Sequence, residues 1–211
     1  MTTSLDRTRA AYDTVAASYA KLLNGTSVAE STWDRAVLGA YAELITGPVA
    51  EAGCGTGRIT AHLSSLGVDI QGVDLSPAMI REAETAYPHI PFAIGSLLDL
   101  DLPDASLNGV VAWYSLVHTP PDLLPKAFTE FARVLEPGGR LVIAFKSGDA
   151  KRTLSTGYGH DIDVDVYEYP PDRFAALATA AGLTETMRLV RAAEPSERQP
   201  QAYSMFLKPH P

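Results

Sequence analysis

The stretch Val49-Ala50-Glu51-Ala52-Gly53-Cys54-Gly55-Thr56-Gly57-Arg58 decides how the rest of the chain is read. An apolar strand enters a bend with glycine at every second position and leaves as an amphipathic helix. Glycine accepts positive φ and lets a ligand approach where a Cβ would collide. A second strand, Val68-Asp69-Ile70-Gln71-Gly72-Val73-Asp74-Leu75, follows and carries an acid at its end. Asp74 comes seventeen residues after Gly57, close to the spacing at which a nucleotide-binding βαβ unit sets an acid on ribose hydroxyls. The dinucleotide fingerprint G-x-G-x-x-G seats a pyrophosphate on a helix N-terminus. Here a carboxylate, Glu51, stands two residues ahead of the first glycine. A carboxylate repels phosphate and suits an ammonium group. The bend therefore fits a nucleoside that carries an amino-acid tail.

The totals narrow the function classes. A chain of 211 residues reads as one domain with a full core. A net charge of −8 argues against a nucleic-acid partner, because such binding rests on Lys and Arg at phosphates. No apolar run reaches the roughly 20 residues of a membrane helix. Met1-Thr2-Thr3-Ser4-Leu5-Asp6-Arg7 lacks the basic-then-apolar form of a signal peptide. Cys54 is the only cysteine, so the cytoplasm is the expected compartment. No base motif accompanies Cys54, which favours a small packed residue over a nucleophile.

Outward from the bend, the chain alternates strand and helix. Residues 5–23 carry apolar positions at helical spacing, 24–31 form a polar loop, and 32–45 form a second helix with Trp33, Val37, Tyr41 and Leu44 on one face. Arg58 to Leu66 is a helix closed by Gly67. Ser76-Pro77 opens the next, with Ser as N-cap and Pro in the first turn. Residues 91–94 make the third strand. The fourth, from Leu107, is nearly all apolar, as a centre strand covered on both faces must be. Residues 122–135 are helical, Glu136-Pro137-Gly138-Gly139 is a turn, and 140–145 is the fifth strand. Residues 147–161 read as a long loop. From Asp161 to Tyr169 acids alternate with apolar residues, which is strand periodicity and presents Asp161, Asp163 and Asp165 on one face, read as solvated with attraction of an amine or a metal as the alternative. A helix after Pro170-Pro171 and a final antiparallel pair, 183–191 and 201–207, close the chain. This predicts a doubly wound, Rossmann-like α/β domain: a seven-stranded mixed sheet, helices on both faces and an antiparallel last strand. Its ligand belongs beyond the carboxyl ends of the strands.

The pattern Glu51-x-Gly53-x-Gly55-x-Gly57 with Asp74 resembles the class I S-adenosylmethionine-dependent methyltransferases, small-molecule type. So does Arg133-Val134-Leu135-Glu136-Pro137-Gly138-Gly139-Arg140-Leu141. Tyr12-Asp13-x-x-Ala16-x-x-Tyr19 resembles a lead-in in which tyrosines cover the cofactor. The resemblance implies that S-adenosylmethionine is bound and S-adenosylhomocysteine released. The Gly53-Cys54-Gly55 backbone would lie along the methionine portion, with Glu51 on its ammonium and Asp74 on the ribose, and Gly57 and Arg58 would also contribute to cofactor binding. Leu75 and Met79 would flank adenine, and Leu97 would offer a backbone contact at its edge. Ser96 stands where the family often has an Asp, and Leu107-Asn108 where it usually has Phe then Asp. Trp113 and Tyr114 would floor the sulfonium. Tyr12 and Tyr19, on an N-terminal helical cap spanning 1–45, would lie over the site.

His118 and, after it, His160 are the candidate general bases. No His, Cys and carboxylate cluster has metal-ligand spacing. The expected partner is a small-molecule acceptor, with neither nucleic acid nor membrane. The Asn/Asp-Pro-Pro-aromatic signature of amino-methylating enzymes on nucleic acid is absent. Other readings are a same-fold enzyme with non-methylating chemistry such as cyclisation, a non-catalytic cofactor-binding subunit, and a nicotinamide dehydrogenase.

Overall fold

Strand β1 (Val49–Ala52) sits inside a seven-stranded sheet. Strands β2 (Ile70–Asp74) and β3 (Phe92–Ile94) extend the sheet to one side. On the other side lie β4 (Leu107–Trp113) and β5 (Leu135–Lys146), all parallel. Beyond β5 come β9 (Gln201–Leu207) and β8 (Thr184–Arg191), with β9 antiparallel to both neighbours. The sheet is therefore the mixed, doubly wound one that the alternation of elements predicts. Strand order reverses between β1 and β4, so their carboxyl ends open a crevice. This computed structural model describes residues 3–23, 31–195 and 197–211. The loop expected at 24–31 lies outside them except for Ser31.

Period-two alternation sorts the side chains onto two faces. From β4 and β5, Val110, Ala112, Leu141, Ile143 and Phe145 face helices α5 (Leu124–Val134) and α6 (Pro171–Ala180), in a core with Phe128, Phe131 and Phe174. Val111, Trp113, Val142 and Ala144 face the other way, toward Leu38 and Tyr41 of helix α2 (Thr32–Leu44) and Leu63 of α3 (Arg58–Ser65). Each fully buried side chain of this size contributes about 1.5–3 kcal/mol. Trp33 and Leu44 do not share the buried face of α2: they are about half exposed, while Val37 and Tyr41 are buried. The cap of α4 (Pro77–Ala86) is as expected, with Ser76 Oγ accepting from Met79 N at 3.1 Å.

Three further expectations are corrected. The turn at 136–139 is absorbed into β5, which begins at Leu135. There Asn108 ties the strand start together, accepting from Thr46 N at 2.9 Å and donating to Glu136 Oε1 at 2.8 Å. Residues 147–161 are not one loop. They contain β6 (Lys151–Gly157), which pairs antiparallel with β7 (His160–Tyr167). The two residues between them, Tyr158 (φ 53°) and Gly159 (φ 83°), both have positive φ, as a type I′ hairpin turn requires. Asp165 is not on a solvated face. It is buried, and it accepts from Thr153 Oγ1 at 2.6 Å and Arg7 Nη2 at 2.8 Å and pairs with Lys151 Nζ at 3.0 Å.

Helix α1 (Ser4–Leu23) lies over α4 and this hairpin. Asp13 Oδ1 accepts from Ser76 Oγ at 2.6 Å and from Ala78 N at 3.1 Å, which docks α1 on the start of α4. Val15 and Ala16 pack on Ala78 and Met79. Among the described residues, no helix is long and apolar enough to cross a membrane.

Candidate cofactor and acceptor site

The bend after β1 is held by the neighbouring strand. Gly53 (φ 83°) donates to the Val73 carbonyl at 2.7 Å, and a Cβ on it would come 2.3 Å from Cβ of Ser115. Only glycine satisfies both the dihedral and the gap. Asp74, at the end of β2, receives Gly55 N on Oδ2 and Ser76 N on Oδ1, each at 2.8 Å. Burial raises its pKa, and these two N–H groups oppose the rise. Gly57 does different work from the role expected of it. It does not line the cavity: a Cβ there would meet Phe92 Cζ at 2.7 Å, so this glycine lets α3 pack against β3.

Glu51 is 1% exposed and accepts a hydrogen bond from the Thr60 hydroxyl. Burial pushes its pKa up to about 8, against the opposing pull of Thr60. Thr60 escaped the sequence reading. Its one signal is a polar residue in the first turn of the helix, aimed back at the strand it follows. Cys54 is buried and its thiol is held protonated far above the usual range by burial, which fits a packing residue.

The opposite wall comes from α1, the β6–β7 hairpin and the residues after β4. His118 Nδ1 lies 2.8 Å from the Asp165 carbonyl, which can only accept, so Nδ1 carries the proton. Nε2 is then the acceptor for the Tyr12 hydroxyl at 2.7 Å. Burial depresses the His118 pKa to about 4, with the Asp165 carbonyl opposing, so the ring is neutral. His160 is not in the cavity. Its Nε2 lies 2.8 Å from Ser18 Oγ, where it ties the hairpin to α1. Tyr19 and Tyr158 meet edge to face at 4.9 Å.

A cavity of about 700 Å³ joins these walls, within the size range of small-ligand sites. Every residue anticipated for the site lines it except Gly57 and His160. Glu51, Asp74, Leu75, Met79, Ser96 and Leu97 lie at one end. Toward the other end, Trp113 and Tyr114 lead to Lys146, Arg191, Gln199 and Gln201, which the sequence reading missed. Tyr114 holds φ 53°, a costly conformation outside glycine, at the junction of the two ends.

The acceptors fit a nucleoside with an ammonium-bearing tail. Two buried acids flank a bend that lacks side chains, and aromatic faces follow. Among the described residues, the buried side-chain oxygens without a hydrogen-bond partner are Thr56 Oγ1, Ser115 Oγ and Gln199 Oε1, and all three residues line this cavity. Buried polar atoms are rarely left so, and a ligand accounts for them together. Among the described residues, no group of three or more His, Cys, Asp or Glu could hold a metal.

Comparison with known proteins gives the same picture. Residues 49–139 match the family model described as methyltransferase domain. The O-methyltransferase resE of Aspergillus sclerotiorum is 36% identical over 103 residues, 46% of this chain and 38% of that one. The chain spans less than half the length of the first curated relatives that it matches. Among solved structures, 1,6-didemethyltoxoflavin-N1-methyltransferase of Burkholderia thailandensis superposes with TM-score 0.73 at 20% identity, over 96% of this chain and 88% of that one. The cyclase SpnF superposes with TM-score 0.72 at 15% identity, over 98% and 96%. At such identities the structures speak for the fold alone, and the motifs speak for the rest. In its motif-bearing part the chain is similar to methyltransferase domains, and its fold is that of S-adenosylmethionine-dependent methyltransferases.

Proposed function

We propose that the chain transfers a methyl group from S-adenosylmethionine to a small-molecule acceptor. Bound S-adenosylmethionine supplies a methyl group on a sulfonium, activated for in-line displacement. The observation that carries this reading is the pair of buried acids. Glu51 and Asp74 end adjacent strands and line one cavity on either side of the Gly53–Gly55 bend. Glu51 orients an ammonium group, Asp74 accepts ribose hydroxyls, and Leu75 and Met79 flank the base. Trp113 and Tyr114 turn ring faces toward a cation.

The protein's part in the transfer is mainly positional, and positioning supplies about 7–11 kcal/mol in favourable intramolecular models. Helix α1 and the hairpin serve as the cap and exclude water, while α2 packs on the sheet. An acceptor hydroxyl hands its proton to Tyr12 oxygen as Tyr12 passes its own to His118 Nε2, along the existing 2.7 Å contact. A cytoplasmic setting, expected from the single cysteine, belongs to the same proposal. The Burkholderia structure, which holds 1,6-didemethyltoxoflavin together with S-adenosylhomocysteine, supports a small acceptor beside the cofactor.

Calorimetry with S-adenosylhomocysteine on the purified chain tests the cofactor half. Release of labelled methyl into a panel of small hydroxyl and amine acceptors tests the other. Saturable heat that Asp74→Ala removes supports the reading; no heat with either form of the cofactor defeats it. The likeness to SpnF favours one second reading, a cyclisation on the same fold. Cofactor binding with substrate turnover but no methyl release would select it.

A further inference from the structure

Beyond Trp113 and Tyr114 the cavity is walled by the end of β5, the hairpin and the segment that joins β8 to β9, and its charge changes. At the cofactor end stand the acids Glu51 and Asp74, with Arg58 acting on Glu51. At this end, among the described residues, the cations Lys146, Arg152, Arg191 and Arg198 face the acids Asp34, Glu194 and Glu197. They do not match one to one. Arg191 takes up both glutamates: it gives Nη1 and Nη2 to the two oxygens of Glu197 at 2.5 and 2.6 Å and lies 3.9 Å from Glu194. Asp34 is occupied by neutral donors, accepting from the Tyr203 hydroxyl at 2.7 Å and from Ser31 N at 3.0 Å. Arg152 pairs with Glu168 at 3.5 Å. Among the described residues, no acid comes within ion-pair distance of Arg198. Lys146 stands at the half-buried end of β5, opposite Gln201. Burial sets the low His118 pKa and Arg191 the low Glu197 pKa; in both the Lys146 ammonium adds to the effect, so it faces the space between them. The backbone under Arg198 is pinned on both sides. Glu197 is held by Arg191 and accepts from Glu194 N at 2.8 Å, and buried Gln199 accepts at its carbonyl from Gln201 Nε2 at 2.9 Å. An exposed guanidinium thus stands on a fixed point of the cavity rim.

We propose that Arg198, together with Lys146, holds the carboxylate of an anionic small-molecule acceptor whose flat apolar body lies against Trp113 and Tyr114. A guanidinium presents a planar fork of donors that matches the two oxygens of a carboxylate. The body follows from the walls: Trp113 and Tyr114 meet edge to face at 6.2 Å, and Leu154, Val164 and Val166 line the hairpin side. The amide of the same acid leaves the cation unanswered. A phosphate monoester brings a second negative charge toward Glu194 and Glu197, which repel it. That this end takes the acceptor rests on the methyltransferase reading; that it holds a carboxylate rests on the charges alone.

The test uses the full chain and three probes of one shape: 2-naphthoate, 2-naphthamide and 2-naphthyl phosphate. Each is titrated with and without S-adenosylhomocysteine, whose own affinity is measured separately. At low salt the wild type is expected to bind 2-naphthoate at least about fivefold tighter than the other two. The lead over naphthamide should shrink as salt rises from about 0.05 to 1 M, because the guanidinium lies near solvent. Arg198→Gln should erase most of that lead and Arg198→Lys should keep part of it, while Tm and affinity for S-adenosylhomocysteine hold in both. Equal binding of naphthamide, equal or tighter binding of the phosphate, no saturable binding of any probe, a lead that salt does not touch, or a lead intact in Arg198→Gln overturns the proposal. So does a fall in S-adenosylhomocysteine affinity in Arg198→Gln, which would assign the cation to the cofactor's own carboxylate. The salt titration needs no variant and decides if Arg198→Gln does not fold. Should S-adenosylhomocysteine fail to bind while the naphthoate lead holds, the cofactor reading falls and the carboxylate site stands. The reverse result sinks the carboxylate site alone.

Discussion

Under the cavity, Asp74 is held by main-chain N–H groups of Gly55 and Ser76, 19 and 2 residues away. Over it, His118 reaches Tyr12 and Asp165, 106 and 47 residues away, and Arg7 reaches Asp165 across 158. The floor is built from backbone conformations that particular glycines impose. The roof is built from side chains that meet only once the sheet has formed. The first kind of site is a local property of the chain and keeps its shape without its ligand. The second depends on ion pairs and single hydrogen bonds, several of them near solvent, which are worth little each. Substitutions in the floor should therefore abolish binding, and substitutions in the roof should loosen it.

The largest effect is expected at Asp74. Asp74→Asn keeps the volume but leaves one oxygen where two accept backbone N–H groups, and removes the charge. Hydrogen bonds to a charged group contribute about 1.5–3 kcal/mol each, so affinity for S-adenosylhomocysteine should fall at least about a hundredfold by calorimetry. A loss of only a few-fold would show that the floor is no more decisive than the roof.

Glu51 sharpens the comparison through pH. Its pKa near 8 in the free protein means that it is mostly protonated at pH 7, and an ammonium ligand needs the carboxylate. Affinity for S-adenosylhomocysteine should rise up to tenfold per unit from pH 6 to about 8 and then level, with a proton released on binding below pH 8. The same raised value costs stability. The folded state carries no penalty below the ordinary carboxylate range, loses stability as pH rises toward 8, and bears the full cost above it. Glu51→Gln should flatten the pH dependence, weaken binding and raise Tm by at least about 4 °C at pH 8. A steep pH dependence that survives the substitution would assign the titration elsewhere.

What could be read from sequence follows the same division. Glu51, Gly53, Gly55 and Asp74 announce themselves because each satisfies a backbone need within one βαβ unit. The third glycine, Gly57, misled because the motif does not say whether the absent Cβ would meet a ligand or Phe92. The hairpin at 151–167 was half missed. Lys151, Thr153 and Ser155 alternate with Arg152 and Leu154 too weakly to look like a strand beside the acidic alternation that follows. Tyr158-Gly159 was the one local sign, read as loop. Gln199 carried no sign at all, since a glutamine before a strand is ordinary until its oxygen proves buried and unpaired.

In the roof, Tyr12→Phe leaves His118 Nε2 buried without a donor. That should lower stability by about 1–3 kcal/mol and Tm by a few degrees, with affinity for S-adenosylhomocysteine within about threefold of wild type. Methyl transfer to a hydroxyl acceptor should drop by about tenfold or more if the pair carries the proton. Because His118 titrates near 4, no limb of the pH–rate profile between 5 and 7 should belong to it, and His118→Asn should leave the shape of that region unchanged.

The smallest contrast sets two acids on the same face of β7 against each other. Asp165 has 5% of its side chain exposed and binds Arg7, Lys151 and Thr153; Asp163 has 64% exposed and meets Arg7 at 3.3 Å. Burial alone would raise the Asp165 pKa, but Thr153, Lys151 and Arg7 outweigh it and hold it at about 2. Its contribution is complete above the ordinary carboxylate value and fades as pH falls toward 2. Asp165→Asn should cost about 1–3 kcal/mol and speed hydrogen exchange across β6 and β7, because the hairpin's buried tie to Arg7 of α1 is weakened. Asp163→Asn should change stability by less than about 0.5 kcal/mol and leave exchange as it was. If the two variants behave alike, the roof is held by packing of Val15 and Ala16 on α4 rather than by its buried acid.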